Sequence, residues 1–329
     1  MLILGIETSC DETAASIVKD GKEILSNVIS SSLEYHKKYG GVIPEVASRH
    51  HAENIDKVVA GSLKEAGIKI EDIDKVAVTQ GPGLVGALLC GISFAKALAF
   101  AINKPLLGVD HLSAHLYSPF LENSDIKFPF IGLVISGGHT RLTLVEDFDK
   151  IKVLGDTLDD AIGEAFDKVA KILGLGYPGG PIIDRLAKQG DPKGIKFNCR
   201  EIKGTLDFSF SGIKTAVLYH VRDARHMAQD TRHMEDIAAS FQESSLKVIV
   251  NNTIKALKKY GIATLVVGGG VSANSRFREL IKKESSINDF KAYFPPIKLC
   301  QDNGAMVAGL AYHLYKKGYR SSFDITANI

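Results

Sequence analysis

The sequence predicts an α/β protein built from two copies of one fold, with a ligand-binding cleft between the halves. Three observations lead to this prediction. A chain of 329 residues is too long for one ordinary hydrophobic core and suits two. A strand–loop–strand pattern occurs once in each half, and so does a pattern of strand, glycine-rich loop and helix. Because both patterns recur in the same order, a duplicated domain is the simplest interpretation.

The strand–loop–strand pattern consists of two apolar runs joined by a short polar turn. It covers residues 2–18 in the first half, and residues 130–145 in the second half with the turn Ser136–His139. β-rich runs around a short polar turn indicate a hairpin. A tight loop of Gly, Ser and Thr can direct backbone N–H groups and hydroxyls toward an anion, so each turn is a candidate ligand loop.

The second pattern is an apolar strand that runs through a glycine-rich loop into a helix. Residues 76–83 lead into a helical stretch at 84–102, and residues 265–274 lead into another at 275–284. This order places a helix N-terminus, whose N–H groups bind phosphate, beside the loop. One such loop alone is more often a packing feature, whereas the repeated set favours ligand binding.

These patterns also predict the domain boundaries. We expect a first domain at 1–125, with an insertion near 30–62, completed by a C-terminal helix at 303–320. The second domain is expected at 126–302, with a basic insertion near 185–232. That insertion holds ten Lys and Arg against five Asp and Glu, although the whole chain has a net charge of only +2. The local excess predicts a track for phosphates, with an ordinary solvated surface as the alternative.

The cysteines and the apolar segments indicate the compartment. Cysteines at positions 10, 90, 199 and 300 form no close pair, which is typical of a reducing compartment. The first residues contain no basic segment of the kind that opens a signal peptide, and the longest apolar stretch, 81–102, contains Lys96. We therefore expect a cytoplasmic protein without a membrane partner.

Two histidines suggest a metal site. His111 and His115 are four residues apart, a spacing that places both imidazoles on one face of a helix. A catalytic metal usually has three protein ligands, so a third is required from elsewhere. Asp302, in a polar cluster before an apolar helix, is the candidate; it could equally be only a helix N-cap.

An acidic run in the middle of the chain precedes a stretch rich in glycine and proline. Asp160, Glu164 and Asp167 are spaced to lie on one face of a helix, and residues 174–184 follow. A carboxylate face beside a glycine loop suits ribose hydroxyls and a purine. An acidic, solvated helix is the alternative.

Together these motifs resemble one family, TsaD, the tRNA N6-adenosine threonylcarbamoyltransferases that were once labelled O-sialoglycoprotein endopeptidases (Gcp). The match extends over nearly the whole chain in the family's order, and the segments near 208–215 and 234–242 resemble the bacterial-type branch. The matching segments are Gly5–Thr13, Gly40–Glu45, Gly81–Leu84, Asp110–His115, Ser136–Thr140, Gly163–Lys168, Tyr177–Pro181, Phe208–Gly212 and Asp302–Met306.

The resemblance implies the duplicated actin/Hsp70/sugar-kinase (ASKHA) fold with a nucleotide cleft. It implies transfer of the threonylcarbamoyl group from threonylcarbamoyl-AMP to N6 of the adenine 3′ of the anticodon in tRNAs that read ANN codons, with release of AMP. It places one divalent metal, Fe²⁺ or Zn²⁺, on His111, His115 and Asp302. It places the adenylate substrate on Ile135, Ser136, Gly137, Gly138, His139, Asp167, Gly180, Asp184 and Asn274.

The reaction also suggests catalytic residues. Because an acyl-adenylate already carries a good leaving group, the protein must chiefly position and polarise it. His139, beside two glycines, is a candidate donor to the developing oxyanion. Asp11 or Glu12 is the candidate base that accepts a proton from the N6 amine.

The partners implied by the resemblance are tRNA, a TsaB-type paralogue that contacts the first domain and a TsaE-type ATPase, in preference to KEOPS subunits. Two other enzyme classes are alternatives. A metal-dependent peptidase is disfavoured because no HExxH motif is present. An ATPase or kinase of the same superfamily shares the predicted nucleotide cleft. A non-catalytic scaffold would be expected to lack one of the three metal-ligand residues, and all three are present.

Overall fold

The computed structural model describes residues 1–224 and 231–328, with side chains described to 223 and again from 234. The chain separates into two compact units. The first comprises Met1–Ile126 and the residues from Pro295 onward, and the second comprises Lys127–Phe294. The part of the predicted basic insertion at 225–230 lies outside the described residues, as do the side chains at 231–233.

The first unit is built on a five-stranded sheet. In chain order its strands are β1 (Leu2–Glu7), β2 (Glu12–Lys19), β3 (Glu23–Ser31), β4 (Lys75–Gly81) and β5 (Leu106–Asp110). Their order in the sheet is β3-β2-β1-β4-β5, in which β3, β2 and β1 are antiparallel and β1, β4 and β5 are parallel. The hairpin predicted near the N-terminus is confirmed, with Leu2 opposite Lys19 and Glu7 opposite Ala14.

Helices cover this sheet. They are α1 (Leu33–Lys37), α2 (Pro44–Ala66), α3 (Val85–Ala101), α4 (His111–Tyr117) and, from the end of the chain, α10 (Gly304–Lys316). Most of the segment near 30–62 belongs to α2, which buries Ile55, Val58 and Val59 in the core of this unit. The helix α10 packs closely against β1 at Gly5. A Cβ at this position would lie 2.6 Å from the backbone nitrogen of Ala308, so only glycine allows this close approach.

The second unit repeats this topology. Its strands are β6 (Phe130–Ile135), β7 (Thr140–Asp147), β8 (Lys150–Asp156), β9 (Thr264–Gly268) and β10 (Lys291–Tyr293), in the order β10-β9-β6-β7-β8. Strands β6, β7 and β8 are antiparallel, whereas β6, β9 and β10 are parallel, as in the first unit. The predicted duplication of an α/β fold is therefore confirmed.

The helices of the second unit are α5 (Ile162–Ile172), α6 (Gly179–Ala187), α7 (Ser211–Ala224), α8 (Thr231–Tyr260) and α9 (Ser275–Asn288). Its core is mainly aliphatic and also contains large aromatic side chains, including Phe166, Phe208, Phe210, Phe241 and Phe277. Within the residues that the structure describes, no helix combines the length and the apolar character needed to cross a bilayer.

Candidate metal centre and candidate nucleotide-binding residues

Three ionisable side chains meet in the first unit at the start of α4. The helix follows β5 directly, and Asp110 caps it by accepting a hydrogen bond from the Ser113 backbone nitrogen at 2.8 Å. The imidazoles of His111 and His115 lie 4.6 Å apart between ring centroids. Asp302 Oδ1 lies 3.0 Å from His115 Nε2 and 3.8 Å from His111 Nε2. The structure thus brings together the three residues expected from the sequence, with potential ligand atoms within 4.8 Å of one another.

The alternative role for Asp302, as the N-cap of α10, is wrong. The cap is the next residue, Asn303, whose backbone is extended and whose side-chain oxygen accepts a hydrogen bond from the Met306 nitrogen at 3.0 Å. Because the neighbouring amide fulfils the capping role, the Asp302 carboxylate is left to face the two histidines.

The chemistry of these donors fits a divalent cation. His115 is completely buried, and among the described residues neither ring nitrogen forms a hydrogen bond, although Asp302 Oδ1 lies 3.0 Å from Nε2. A buried polar group without a partner costs about 1–3 kcal/mol, and coordination at Nε2 would remove that cost. Two imidazoles and one carboxylate are a donor set used for Zn²⁺ and Fe²⁺ that leaves a coordination position open.

A buried glutamate, Glu7, which is not among the residues predicted from the sequence to be functional, lies behind the cluster. Glu7 is fully buried, and its Oε2 lies 3.1 Å from His111 Nδ1. Burial works against the charge of Glu7, but His111 lowers the pKa of that carboxyl below its usual value. Burial likewise works against the imidazolium, yet Glu7 and Asp302 outweigh it and raise the pKa of His111 to about 9. The one signal in the sequence that could have revealed the role of Glu7 is the presence of an acidic residue in an apolar strand.

The predicted bases Asp11 and Glu12 lie in the same unit as the cluster. The backbone oxygen of Asp11 accepts hydrogen bonds from the backbone nitrogen and the hydroxyl of Ser32, at 3.0 and 2.9 Å. Glu12, the first residue of β2, accepts a long hydrogen bond of 3.4 Å from the Ser31 hydroxyl. Burial, together with the negative charges of Asp11 and Asp302, raises the pKa of Glu12 well above its ordinary value. A raised pKa makes the ionised Glu12 carboxylate a better proton acceptor than an ordinary surface carboxylate.

The loop at 135–139 lies in the second unit and is docked against the start of α5. The Ser136 nitrogen donates to the His139 oxygen at 2.8 Å, and the His139 nitrogen donates to the Ser136 hydroxyl at 3.1 Å. The Gly163 nitrogen, in the first turn of α5, donates to the Ser136 oxygen at 3.1 Å. Gly137 and Gly138 are exposed, and the space beside their α-carbons is open to 4 Å among the described atoms. The loop can therefore present backbone N–H groups to a ligand.

The other four predicted nucleotide-binding residues belong to the second unit too. Asp167, in α5, accepts a hydrogen bond at 2.7 Å from the nitrogen of Gly179, the residue before Gly180 in α6. Asp184, in α6, accepts hydrogen bonds from the nitrogen and the hydroxyl of Ser275, at 3.2 and 3.0 Å. Asn274 caps α9 by accepting from the Phe277 nitrogen at 2.9 Å, and it donates to the Gln242 side chain at 2.8 Å. These contacts link α5 to the start of α6 and α6 to the start of α9, and they hold the side chains of Asp167, Asp184 and Asn274 in defined orientations.

The predicted series of acids along one face of a helix is wrong for Asp160. Helix α5 begins at Ile162, so Asp160 precedes it. Asp160 instead pairs with Lys168 at 2.5 Å and Lys214 at 2.8 Å. Partial burial opposes its charge, but these two lysines lower the pKa of Asp160. The residue therefore ties α5 to α7.

Fold and donor geometry together define a class: a duplicated α/β protein with a His₂Asp cluster in one unit and a glycine hairpin loop in the other. The fold is similar to HypF from T. kodakarensis over 98% of this chain and 49% of that chain, with a TM-score of 0.64 and 16% identity. It is also similar to component A of (R)-2-hydroxyglutaryl-CoA dehydratase from Acidaminococcus fermentans, over 96% of this chain and 98% of that chain, with a TM-score of 0.54 and 18% identity. The predicted ASKHA fold class is confirmed.

Sequence comparison gives the family. Residues 23–309 match the family model described as "TsaD: tRNA N6-adenosine threonylcarbamoyltransferase". The chain is 53% identical over 330 residues to the protein of that enzyme name from Dictyoglomus turgidum, covering 100% of this chain and 98% of the relative. It is 49% identical over 327 residues to the one from Caldicellulosiruptor saccharolyticus, covering 99% and 97%. The chain belongs to the TsaD family, and its bacterial relatives confirm the predicted branch.

Proposed function

We propose that this protein transfers the threonylcarbamoyl group from threonylcarbamoyl-AMP to N6 of the adenine 3′ of the anticodon in tRNAs that read ANN codons, and releases AMP. Membership of the TsaD family over nearly the full chain carries this proposal. The converging His111, His115 and Asp302 side chains support this proposal, because a non-catalytic relative would be expected to lack at least one of them. The proposed place of action is the cytoplasm, where its tRNA substrates are found.

We assign one divalent cation, Fe²⁺ or Zn²⁺, to His111, His115 and Asp302. When bound, that cation supplies a Lewis acid that polarises an oxygen of the acyl-adenylate. The chain's own part is to hold two imidazoles and one carboxylate at fixed distances in a buried setting. The buried His115 supports this assignment, because its Nε2 lies 3.0 Å from Asp302 Oδ1 without forming a hydrogen bond among the described residues.

We assign the adenylate to residues of the second unit. The loop Ile135–His139 is the proposed site for its phosphate and acyl end, since the exposed Gly137 and Gly138 present backbone N–H groups, and His139 can donate to the oxyanion. The nucleotide is assigned to Asp167, Gly180, Asp184 and Asn274. Hydrogen bonds to neighbouring residues hold Asp167, Asp184 and Asn274, which supports a preformed site because a ligand would meet side chains that are already oriented.

Glu12 is the proposed base, with Asp11 as the alternative. As the bond forms between N6 and the carbamoyl carbon, the amine becomes cationic and must lose a proton. A half-buried carboxylate with a raised pKa accepts that proton more readily than an ordinary surface carboxylate. The release of AMP needs no comparable assistance, because a phosphate monoester leaves as an anion.

The proposed partners are tRNA, a TsaB-type paralogue that contacts the first unit and a TsaE-type ATPase, with KEOPS subunits as the disfavoured alternative. The tRNA backbone is assigned to the basic segment near 185–232. Four exposed cationic side chains of that segment support this assignment: Lys193, Lys196, Arg200 and Lys203. The assignment of the partner proteins rests on the family resemblance alone.

The test uses preformed threonylcarbamoyl-AMP, a tRNA transcript that reads ANN codons and the TsaB- and TsaE-type partners. Nucleosides from the digested tRNA are measured by mass spectrometry. We expect threonylcarbamoyladenosine with the wild-type chain and at least a hundredfold less with His111→Ala, on the order expected when an electrostatic catalytic group is lost. Absence of product with the wild-type chain would refute the proposal. Release of phosphate from ATP without tRNA or adenylate would indicate an ATPase instead.

A further inference from the structure

We infer that Glu7 is a positioning residue that fixes the orientation of His111 as a metal ligand. This inference rests on the proposed cation at His111, His115 and Asp302. Glu7 Oε2 lies 3.1 Å from His111 Nδ1, whereas the other ring nitrogen, Nε2, lies 3.8 Å from Asp302 Oδ1. Both side chains are buried, at 0% and 5% exposure, so water does not compete strongly for this contact.

The carboxylate of Glu7 is itself held firmly. The Ser9 backbone nitrogen donates to Oε1 at 2.5 Å, and the Thr79 hydroxyl donates to Oε2 at 2.5 Å. Glu7 ends β1, and Thr79 lies in the neighbouring parallel strand β4. Two strands of the sheet thus determine where the carboxylate points, and the imidazole at the start of α4 takes its orientation from them.

This contact decides which nitrogen of His111 can bind a cation. An Nδ1–H that donates to Glu7 leaves the lone pair of Nε2 available, and Nε2 is the nitrogen that lies 3.8 Å from Asp302 Oδ1. A carboxylate behind an imidazole also makes the imidazole a more basic ligand. The Ser9 hydroxyl, 3.2 Å from the same Nδ1, lies 3.5 Å from Asp302 Oδ2 as well, so it can link the two ligands.

The two histidines differ in this respect. His115 Nδ1 has no hydrogen-bond partner among the described residues, and no carboxylate backs it. His111 is therefore the ligand whose orientation is set before a cation arrives, and His115 can adjust its ring to complete the site. Removal of Glu7 is expected to weaken cation binding while leaving all three ligands present.

The experiment measures Zn²⁺ affinity of the metal-free full-length protein by competition with a chromophoric chelator. We expect about tenfold weaker binding for Glu7→Gln, which keeps a hydrogen bond but loses the charge, and a loss toward a hundredfold for Glu7→Ala. The matched control is Glu243→Gln, the same change at a largely buried carboxylate of the second unit that pairs with Arg276. The Zn²⁺ affinity of Glu243→Gln should lie within about twofold of the wild-type value. This change is far smaller than the loss expected when a residue hydrogen-bonded to a metal ligand is replaced.

Circular dichroism establishes that each variant is folded before titration. Glu7→Ala leaves the Ser9 and Thr79 donors without a partner; if it fails to fold, Glu7→Gln carries the test. Wild-type affinity in folded Glu7→Gln would overturn the inference while leaving the cation assignment intact. A wild-type chain that binds no Zn²⁺, or binds it equally well after His115→Ala, would overturn the cation assignment itself and this inference with it.

Discussion

Replacing Gly163 with alanine should displace the loop at 135–139, although no residue of that loop is mutated. A Cβ at position 163 would lie 2.6 Å from the Ser136 oxygen and 2.8 Å from the Gly137 α-carbon, whereas ordinary contact begins at 3.4 Å. Either the loop or the start of α5 must therefore move by about 0.8 Å, the difference between 3.4 and 2.6 Å. Such a shift would strain or break the 3.1 Å hydrogen bond from Gly163 to Ser136.

The expected cost combines two effects. Overpacking of this kind costs about 1–3 kcal/mol, and the lost hydrogen bond costs about 0.5–1.5 kcal/mol. Alanine recovers up to about 1 kcal/mol of helix propensity. We expect a net loss of about 0.5–4.5 kcal/mol in the free energy of unfolding. Because the loop moves, we also expect a KM for threonylcarbamoyl-AMP that rises more than kcat falls.

Gly212→Ala is the matched control. Gly212 is the second residue of α7, as Gly163 is of α5, and a Cβ at position 212 would meet no described atom within 4 Å. Both variants are compared by urea unfolding and by steady-state kinetics with the adenylate. The reasoning is wrong if Gly163→Ala is as stable as Gly212→Ala and has the same KM.

Two further variants test single contacts. Asn303→Ala removes the cap of α10 and should lower the free energy of unfolding, measured with urea, by about 1 kcal/mol. Because Asn303 adjoins Asp302, the Zn²⁺ affinity should fall as well. An unchanged free energy of unfolding would show that the cap does not contribute to stability. Asp160→Asn removes a carboxylate whose pKa the two lysines lower below 3.8, so its contribution is present above that pH and is lost as the pH falls through the folded-state pKa. The difference in free energy of unfolding between wild type and Asp160→Asn should therefore be constant from pH 7 to about pH 5 and should shrink below pH 3.8. A difference that increases as the pH falls would contradict the pairing of Asp160 with the two lysines.

The repeated fold could be predicted because its signals are local. The hairpins β1–β2 and β6–β7 each lie within 18 residues, and the apolar runs and polar turns that define them are contiguous in the sequence. The pairing of His111 with His115 is local as well, because one turn of helix places them on the same face. Periodicity and spacing are sufficient for features of this kind.

The errors arose where distant or adjacent residues compete for a role. Asp302 and Asn303 are both good capping residues, and only the folded backbone shows that Asn303 takes the cap. Asp160 has the right spacing for the face of α5, but Lys214, far along the chain, pairs with it outside the helix. Glu7 contacts His111 across 104 positions of sequence, a separation at which no periodicity carries information.

The duplicated fold explains why the candidate functional residues fall where they do. In an open sheet with parallel strands, ligands bind beyond the carboxyl ends of those strands. In the first unit, β1 ends at Glu7 and β5 ends one residue before His111. In the second unit, β6 ends at Ile135, where the glycine hairpin begins, and β9 ends at Gly268, before the loop that leads to Asn274. At the equivalent strands β1 and β6, the first copy therefore ends on the Glu7 carboxylate and the second ends at the glycine hairpin. The other groups follow strands that are not equivalent, His111 after β5 and Asn274 after the loop that leaves β9. This division matches a cation assigned to the first unit and a nucleotide assigned to the second.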